Sequence, residues 1–188
     1  ITELKTLWQR QSSELMPKIY SAINKRNDST PADYLLPAST PNGEIIALKQ
    51  SLAHTPALIL IDTAGRERLR RKIGYQTEYN FRYAAGKIVW DELRFDKRYQ
   101  KRSYNVINTY NLVTGQVNKI SHKSRFFSPS LSSDAKAIVA VKVSTSNSFS
   151  LIELNAETGS VLREYPVMEG YSLQSPSFNE QGDKIISV

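Results

Sequence analysis

The chain has 188 residues, 40% hydrophobic and 23% charged, a composition that supports a folded core and excludes global disorder. It contains no apolar run near the roughly 20 residues a bilayer-crossing helix needs, and the absence of cysteine removes disulfides and thiolate metal sites while leaving the redox compartment open. The net charge of +7 is confined to one stretch: from Arg66 to Arg102 stand twelve Lys or Arg against five Asp or Glu, so the remainder is neutral.

Leu4, Leu7, Trp8, Leu15, Ile19 and Ile23 share one face at helical spacing, which predicts a helical segment over residues 3 to 25, either one helix bent at Pro17 or two short ones. The chain starts at Ile1 without Met and lacks the basic and apolar regions of a secretion signal, which reads as an internal or processed piece of a longer polypeptide. Residues Asn27 to Pro41, with Pro31, Pro37 and Pro41, read as a linker. The expected organisation is therefore an amphipathic helical segment and linker over 1 to 30, followed by β units over 31 to 188.

Beyond the linker a phrase recurs: a proline, a polar turn, paired β-branched residues, a second strand and a turn ending in glycine. It runs from Pro129 to Val141, returns from Pro176 to Val188, and has a degenerate copy from Pro37 to Leu48. Its second-strand anchors Ile45, Ile88, Ile138 and Ile185 are 43, 50 and 47 residues apart, the period of propeller blades. Third strands are expected over Leu58 to Ile61, Asn105 to Tyr110 and Ser150 to Leu154. Each is followed by a turn led by Asp62, Asn111 or Asn155 and closed by Gly65, Gly115 or Gly159, because Asp and Asn bond the backbone two residues on and glycine accepts positive φ. These counts predict a mainly β protein of about three blades and a partial fourth, part of a six- to eight-bladed propeller with an open, self-pairing edge.

Within the basic stretch, Tyr79, Phe81 and Tyr83 alternate as residues of one strand face would. Basic residues interleaved with aromatics can contact nucleic acid or another anion, which makes binding of an anionic partner through Arg66 to Arg102 an alternative function; the alternation is also that of a blade core face, so nucleic acid is not the expected partner. Asp91, Glu92 and Asp96 are expected to pair with Arg94, Arg98 and Arg102 in an ordered loop. His54 and His122 have no partner at metal-ligand spacing and read as surface residues, and neither a His-Glu-x-x-His nor a Gly-x-Ser-x-Gly motif is present. No cofactor, catalytic or metal constellation is expected.

Ser128-Pro129-Ser130-Leu131-Ser132-Ser133-Asp134-Ala135-Lys136 resembles the "SPSLSPDGK" phrase of TolB-like β-propeller repeats, with Ala135 where the family has a turn glycine and Ser133 where it has proline. The stretch from Ile88 to Ile107, including Trp90, Asp91, Arg98 and Tyr99, resembles a segment of large exported bacterial propeller proteins, some joined to a peptidase-like domain, with Lys97 replacing a proline. The resemblance implies an interaction or scaffold module of a periplasmic or outer-membrane-associated protein, with a regulatory propeller of a peptidase as the alternative. Its partner would be a protein or the rest of the same polypeptide. The irregular second unit is the candidate contact region, with Trp90, Arg94, Asp96, Arg98, Tyr99 and Arg102 as candidate partner-binding residues.

Overall fold

The computed structural model describes Thr6, Ala22, Ile23 and residues 30–168 and 170–188. Apart from Thr6, Ala22 and Ile23, the predicted helical segment over 3 to 25 lies outside the described residues. Strands β1 (Ala32–Ser39), β2 (Ile45–Ser51), β3 (Ala57–Ile61) and β4 (Glu67–Lys72) form the first four-stranded antiparallel sheet, in sequence order. The second holds β5 (Arg82–Ala84), β6 (Lys87–Phe95), β7 (Ser103–Asn111) and β8 (Val117–Lys119), and the third β9 (Phe126–Leu131), β10 (Ala137–Val143), β11 (Phe149–Asn155) and β12 (Val161–Pro166). A hairpin of β13 (Ser177–Phe178) and β14 (Ile185–Ile186) follows. Three blades and part of a fourth are thus observed, and all four second-strand anchors lie in their predicted strands.

Each blade is an up-and-down meander; β2, β3, β6, β7 and β10 are largely buried on both faces, whereas β11 buries Ile152 and Leu154 on one face and leaves Leu151 and Glu153 half-buried on the other. Along β6, Ile88 and Trp90 pack with Ile46, Leu48, Leu58 and Leu60 of the first blade, whereas Val89 packs with Leu131, Ile138, Ala140, Ile152 and Leu154 of the third. Alternate side chains point to opposite faces of a strand, so a continuous apolar run serves two neighbours at once. The core is a series of layers between blades.

The turn chemistry holds residue by residue. Asp62 Oδ1 accepts from Ala64 and Arg66 N–H at 3.0 and 2.9 Å. Asn111 Oδ1 accepts from Val113 and Thr114 at 2.9 and 3.0 Å, and Asn155 Oδ1 from Glu157 and Thr158 at 2.9 Å each. Ala135, where the resemblance places glycine, has a φ of +54° with its methyl buried in the layer between the second and third blades.

Two expectations are corrected. The linker reading fails from Ala32 to Ser39, because those residues form β1: Pro37 sits in a bulge where the pairing with β2 slips between Leu35 and Ala38, and a bulge tolerates a residue that cannot donate to the ladder. The strand expected through Tyr79, Phe81 and Tyr83 is shortened to Arg82–Ala84; Phe81 is buried, but Tyr79 stands outside the strand and is exposed. A like bulge accommodates Pro129 in the third blade, where the pairing of β9 with β10 slips. In three units the proline of the repeated phrase follows a residue of positive φ on the first strand or just before it, namely Leu36, Ser128 and Ser175 at +54°, +50° and +46°.

Candidate functional site

The long hairpin of the second blade carries the candidate contact residues. Strands β6 and β7 pair over nine positions, from Lys87↔Asn111 to Phe95↔Ser103, and extend the hairpin into an exposed tip. At the tip the Asp96 N–H donates to the Arg102 carbonyl at 2.8 Å, and Asp96 Oδ1 accepts from the N–H groups of Arg98 and Tyr99 at 2.9 and 3.2 Å. Those bonds to Arg98 and Tyr99, assisted by Lys123 at 3.4 Å, hold the Asp96 carboxyl below the usual carboxylate range. A side chain so engaged orders the turn. Phe95, Lys97, Arg98, Tyr99, Lys101 and Arg102 remain exposed, and the Arg98 guanidinium lies 5.5 Å from the Tyr99 ring centroid.

Trp90 is not on this surface. It is 1% exposed, packed in the layer between the first and second blades, with its indole N–H donated to Glu92 Oε1 at 2.9 Å. Its place in the repeat is a core position, so a surface role is corrected. Glu92 is likewise buried: Oε1 also accepts from the Gly74 N–H at 2.8 Å, and Oε2 pairs with Arg94. Burial alone would raise the Glu92 carboxyl, but the Gly74 N–H, the Trp90 indole and Arg94 outweigh it and hold the group below its ordinary range. A side chain at Gly74 would stand 2.8 Å from that carboxylate, so the close approach requires glycine. The loop expected for the acidic cluster is corrected: Asp91, Glu92 and Arg94 lie within β6, and Asp96 alone of the three acids stands in the tip; of the expected ion pairs the described residues hold Arg94 with Glu92, while Asp96 meets Lys123 and Arg98 and Arg102 face solvent.

Behind the tip lies an arrangement that the sequence did not reveal. Asp91, on the opposite face of β6, points toward the third blade and is 9% exposed. Asn105 Nδ2 donates to Asp91 Oδ2 at 2.8 Å, and the nearby dipoles of the Ser128 backbone N–H and the Gln76 side chain also favour the charged carboxylate. Burial dominates, and pushes the Asp91 carboxyl up to about 6 despite them. Gln76 and Asn105 are 5% and 2% exposed, and Gln76 Oε1 and Asn105 Oδ1 have no hydrogen-bond partner. Asp91 lies at one side of a cleft of about 220 Å³, walled by Phe127, Val141, Val143, Phe149 and Leu173 and rimmed by Thr77 and Glu78. The legible signal was a carboxylate sharing a strand face with Val89.

His54 and His122 are both exposed. The basic stretch is divided by the fold: Arg66 to Lys72 belong to the turn and outer strand β4 of the first blade, Arg94 to Arg102 to the hairpin tip of the second.

No protein-family model matches the chain, and no curated protein does. Among solved structures, TolB from Acinetobacter baumannii superposes with a TM-score of 0.60 at 18% identity, over 84% of this chain and 37% of that protein. A TolB-like protein from Agrobacterium tumefaciens gives 0.58 at 16% identity, over 79% and 51%. The β-propeller domain of the Trilobed protease from Pyrococcus furiosus gives 0.52 at 16%, over 83% and 48%. The chain therefore spans between about a third and a half of each of these structures, and its fold is that of TolB-like propeller blades.

Proposed function

We propose that the chain is a non-catalytic β-propeller module that binds a protein partner, within a larger exported bacterial protein. The observation that carries this reading is the ordered hairpin tip of the second blade, where five cations stand against one carboxylate over residues 94 to 102, with Phe95 and Tyr99 exposed among them. Arginine and aromatic side chains are the types enriched where binding energy concentrates in interfaces. An acidic protein surface is the complementary partner. A periplasmic or outer-membrane-associated address, an amphipathic segment over residues 1 to 30 ahead of the blades, and six to eight blades in the parent protein complete the proposal. Edge-to-edge association with another copy belongs to it as well.

The test is binding of a poly-glutamate probe to the chain, compared with a variant carrying Arg98→Glu, Lys101→Glu and Arg102→Glu. The expected outcome is salt-sensitive binding lost in the variant, with an unchanged circular dichroism melt, since all three positions are exposed. Equal binding by the variant would overturn the assignment of the tip. The second reading, a regulatory propeller of a peptidase, is favoured by the likeness to a protease's propeller domain. A peptidase domain in the full-length gene product would support it, and a chain made of blades alone would exclude it.

A further inference from the structure

Asp91 is a desolvated carboxylate without a counter-ion. Among the described residues no lysine, arginine or histidine pairs with it, and its polar neighbours supply amide and backbone dipoles only. Next to it, Gln76 Oε1 and Asn105 Oδ1 are buried acceptors that nothing donates to. Buried acceptors in native proteins are nearly always satisfied, so two orphan acceptors beside a buried carboxylate that has amide partners but no counter-ion describe half of an interaction. The other half must bring N–H donors and positive charge.

The cleft adjoining Asp91 defines what else the ligand carries. Phe127, Val141, Val143, Phe149 and Leu173 present an apolar wall, while the polar end is Asp91 with Glu78 on the rim. A bare metal ion would leave that wall unused, and the described residues hold no group of three His, Cys, Asp or Glu that would ligate one. At about 220 Å³ the space is smaller than a typical drug-sized pocket and matches one compact apolar group. We infer that the cleft between the second and third blades binds a protonated amine bearing a single apolar group, its ammonium on Asp91 and its apolar part against Phe149 and Val141. A free small amine and the amino terminus of a peptide with an apolar first side chain share this chemistry.

Two features of the fold make the site a built one. The bulge at Ser128, with its positive φ, places that residue beside Asp91 in the cleft wall, and the segment between β4 and β5 brings Thr77 to the same cleft, anchored by Gln76 Nε2 to Asn80 O at 2.7 Å. The hairpin tip takes no part, so this inference stands or falls apart from the proposed protein contact.

The experiment titrates the chain at pH 7.5 with benzylammonium and its neutral counterpart benzyl alcohol, and with the tripeptide Phe-Gly-Gly and its N-acetyl form, following the Ser128 and Gln76 amide resonances. Saturable shifts with benzylammonium, at an affinity on the order of 1 mM, and none with benzyl alcohol are expected. Binding of Phe-Gly-Gly but not of its acetylated form would identify a peptide amino terminus as the source, and binding of the small amine alone would identify a free amine. Asp91→Asn should weaken binding at least tenfold while the protein stays folded, and Phe149→Ala should weaken it severalfold. No saturable shift with any ammonium probe, or binding unchanged in Asp91→Asn, would overturn the inference.

Discussion

Asp91 controls more than a ligand, because its carboxyl titrates differently in the folded and unfolded chain. In the unfolded chain it titrates near 3.8, whereas burial raises it to about 6 in the fold. An acid raised in this way contributes stability that is fully present below the lower value and lost as pH rises through the upper one. The loss is on the order of 3 kcal/mol, taking 1.4 kcal/mol for each tenfold change in proton affinity. Glu92 has the opposite sign: its carboxyl is depressed, so its contribution is present at neutral pH and lost only as pH falls below about 4.5. Between pH 4.5 and 7 Asp91 therefore acts without opposition from Glu92. Urea unfolding over that window should find the wild-type chain losing stability as pH rises, and Asp91→Asn should remove most of the slope. The variant should be the more stable protein at pH 7, since an asparagine amide can donate to the orphan oxygen of Asn105 or Gln76 without a charge to desolvate. A slope unchanged in Asp91→Asn would assign the titration elsewhere.

Outer strand β4, with the sequence Glu-Arg-Leu-Arg-Arg-Lys, shows what half of the basic stretch does in the fold. Among the described residues it pairs with β3 on one side and with no strand on the other, which leaves an edge of the sheet. Charged side chains on such an edge discourage another strand from adding to it. Replacing Arg68, Arg71 and Lys72 by threonine should leave the monomer folded and shift it toward dimers and larger species in sedimentation velocity runs; a variant that stays monomeric would remove this role. Such strands were also the least legible in the sequence. The second and third strands could be read because burial on both faces imposes apolar runs anchored at Ile45, Ile88 and Ile138, and their turns could be read because Asp62, Asn111 and Asn155 bond local backbone. Strands β4, β8 and β12 are mostly exposed, so no apolar periodicity marks them. The cluster at Asp91 was hidden for another reason: its partners Gln76, Asn105 and Ser128 come from three separate segments, and only blade packing brings them together. For Trp90, the repeat period anchored at Ile88 pointed to a strand, but neither it nor the resemblance could tell a core face from a contact face.

At the scale of the molecule, the blades are held by apolar layers and, at one point, by main chain against main chain. Gly159, in the last turn of the third blade, has a φ of +72°, and a Cβ there would lie 2.0 Å from the Ile120 carbonyl oxygen at the end of the second blade. Gly86, in the β5–β6 turn, has nearly the same φ of +79° and nothing within 4 Å of such a Cβ. The pair separates backbone strain from blade contact. Gly86→Ala should cost about 1 kcal/mol, the left-handed penalty alone, and Gly159→Ala about 3 kcal/mol or more, because the two blades must also part. Thermal melts of both variants test this, and equal losses would show that the contact at Ile120 yields freely.

The layered core also bears on how such a chain can change over generations. Because each of the two layers between the described blades takes one wall from each of two adjacent sheets, with Trp90 and Val89 serving them from opposite faces of one strand, losing half a blade would leave a wall with nothing to meet. A gene rearrangement that duplicates or deletes one whole repeat preserves every pairing of walls, whereas one out of step by half a repeat destroys two. Inheritance by whole repeats is therefore the tolerated route, with the sequence of each copy then free to drift at its exposed turns. The second blade shares those walls and differs from its neighbours in its charged tip, where no layer constrains it.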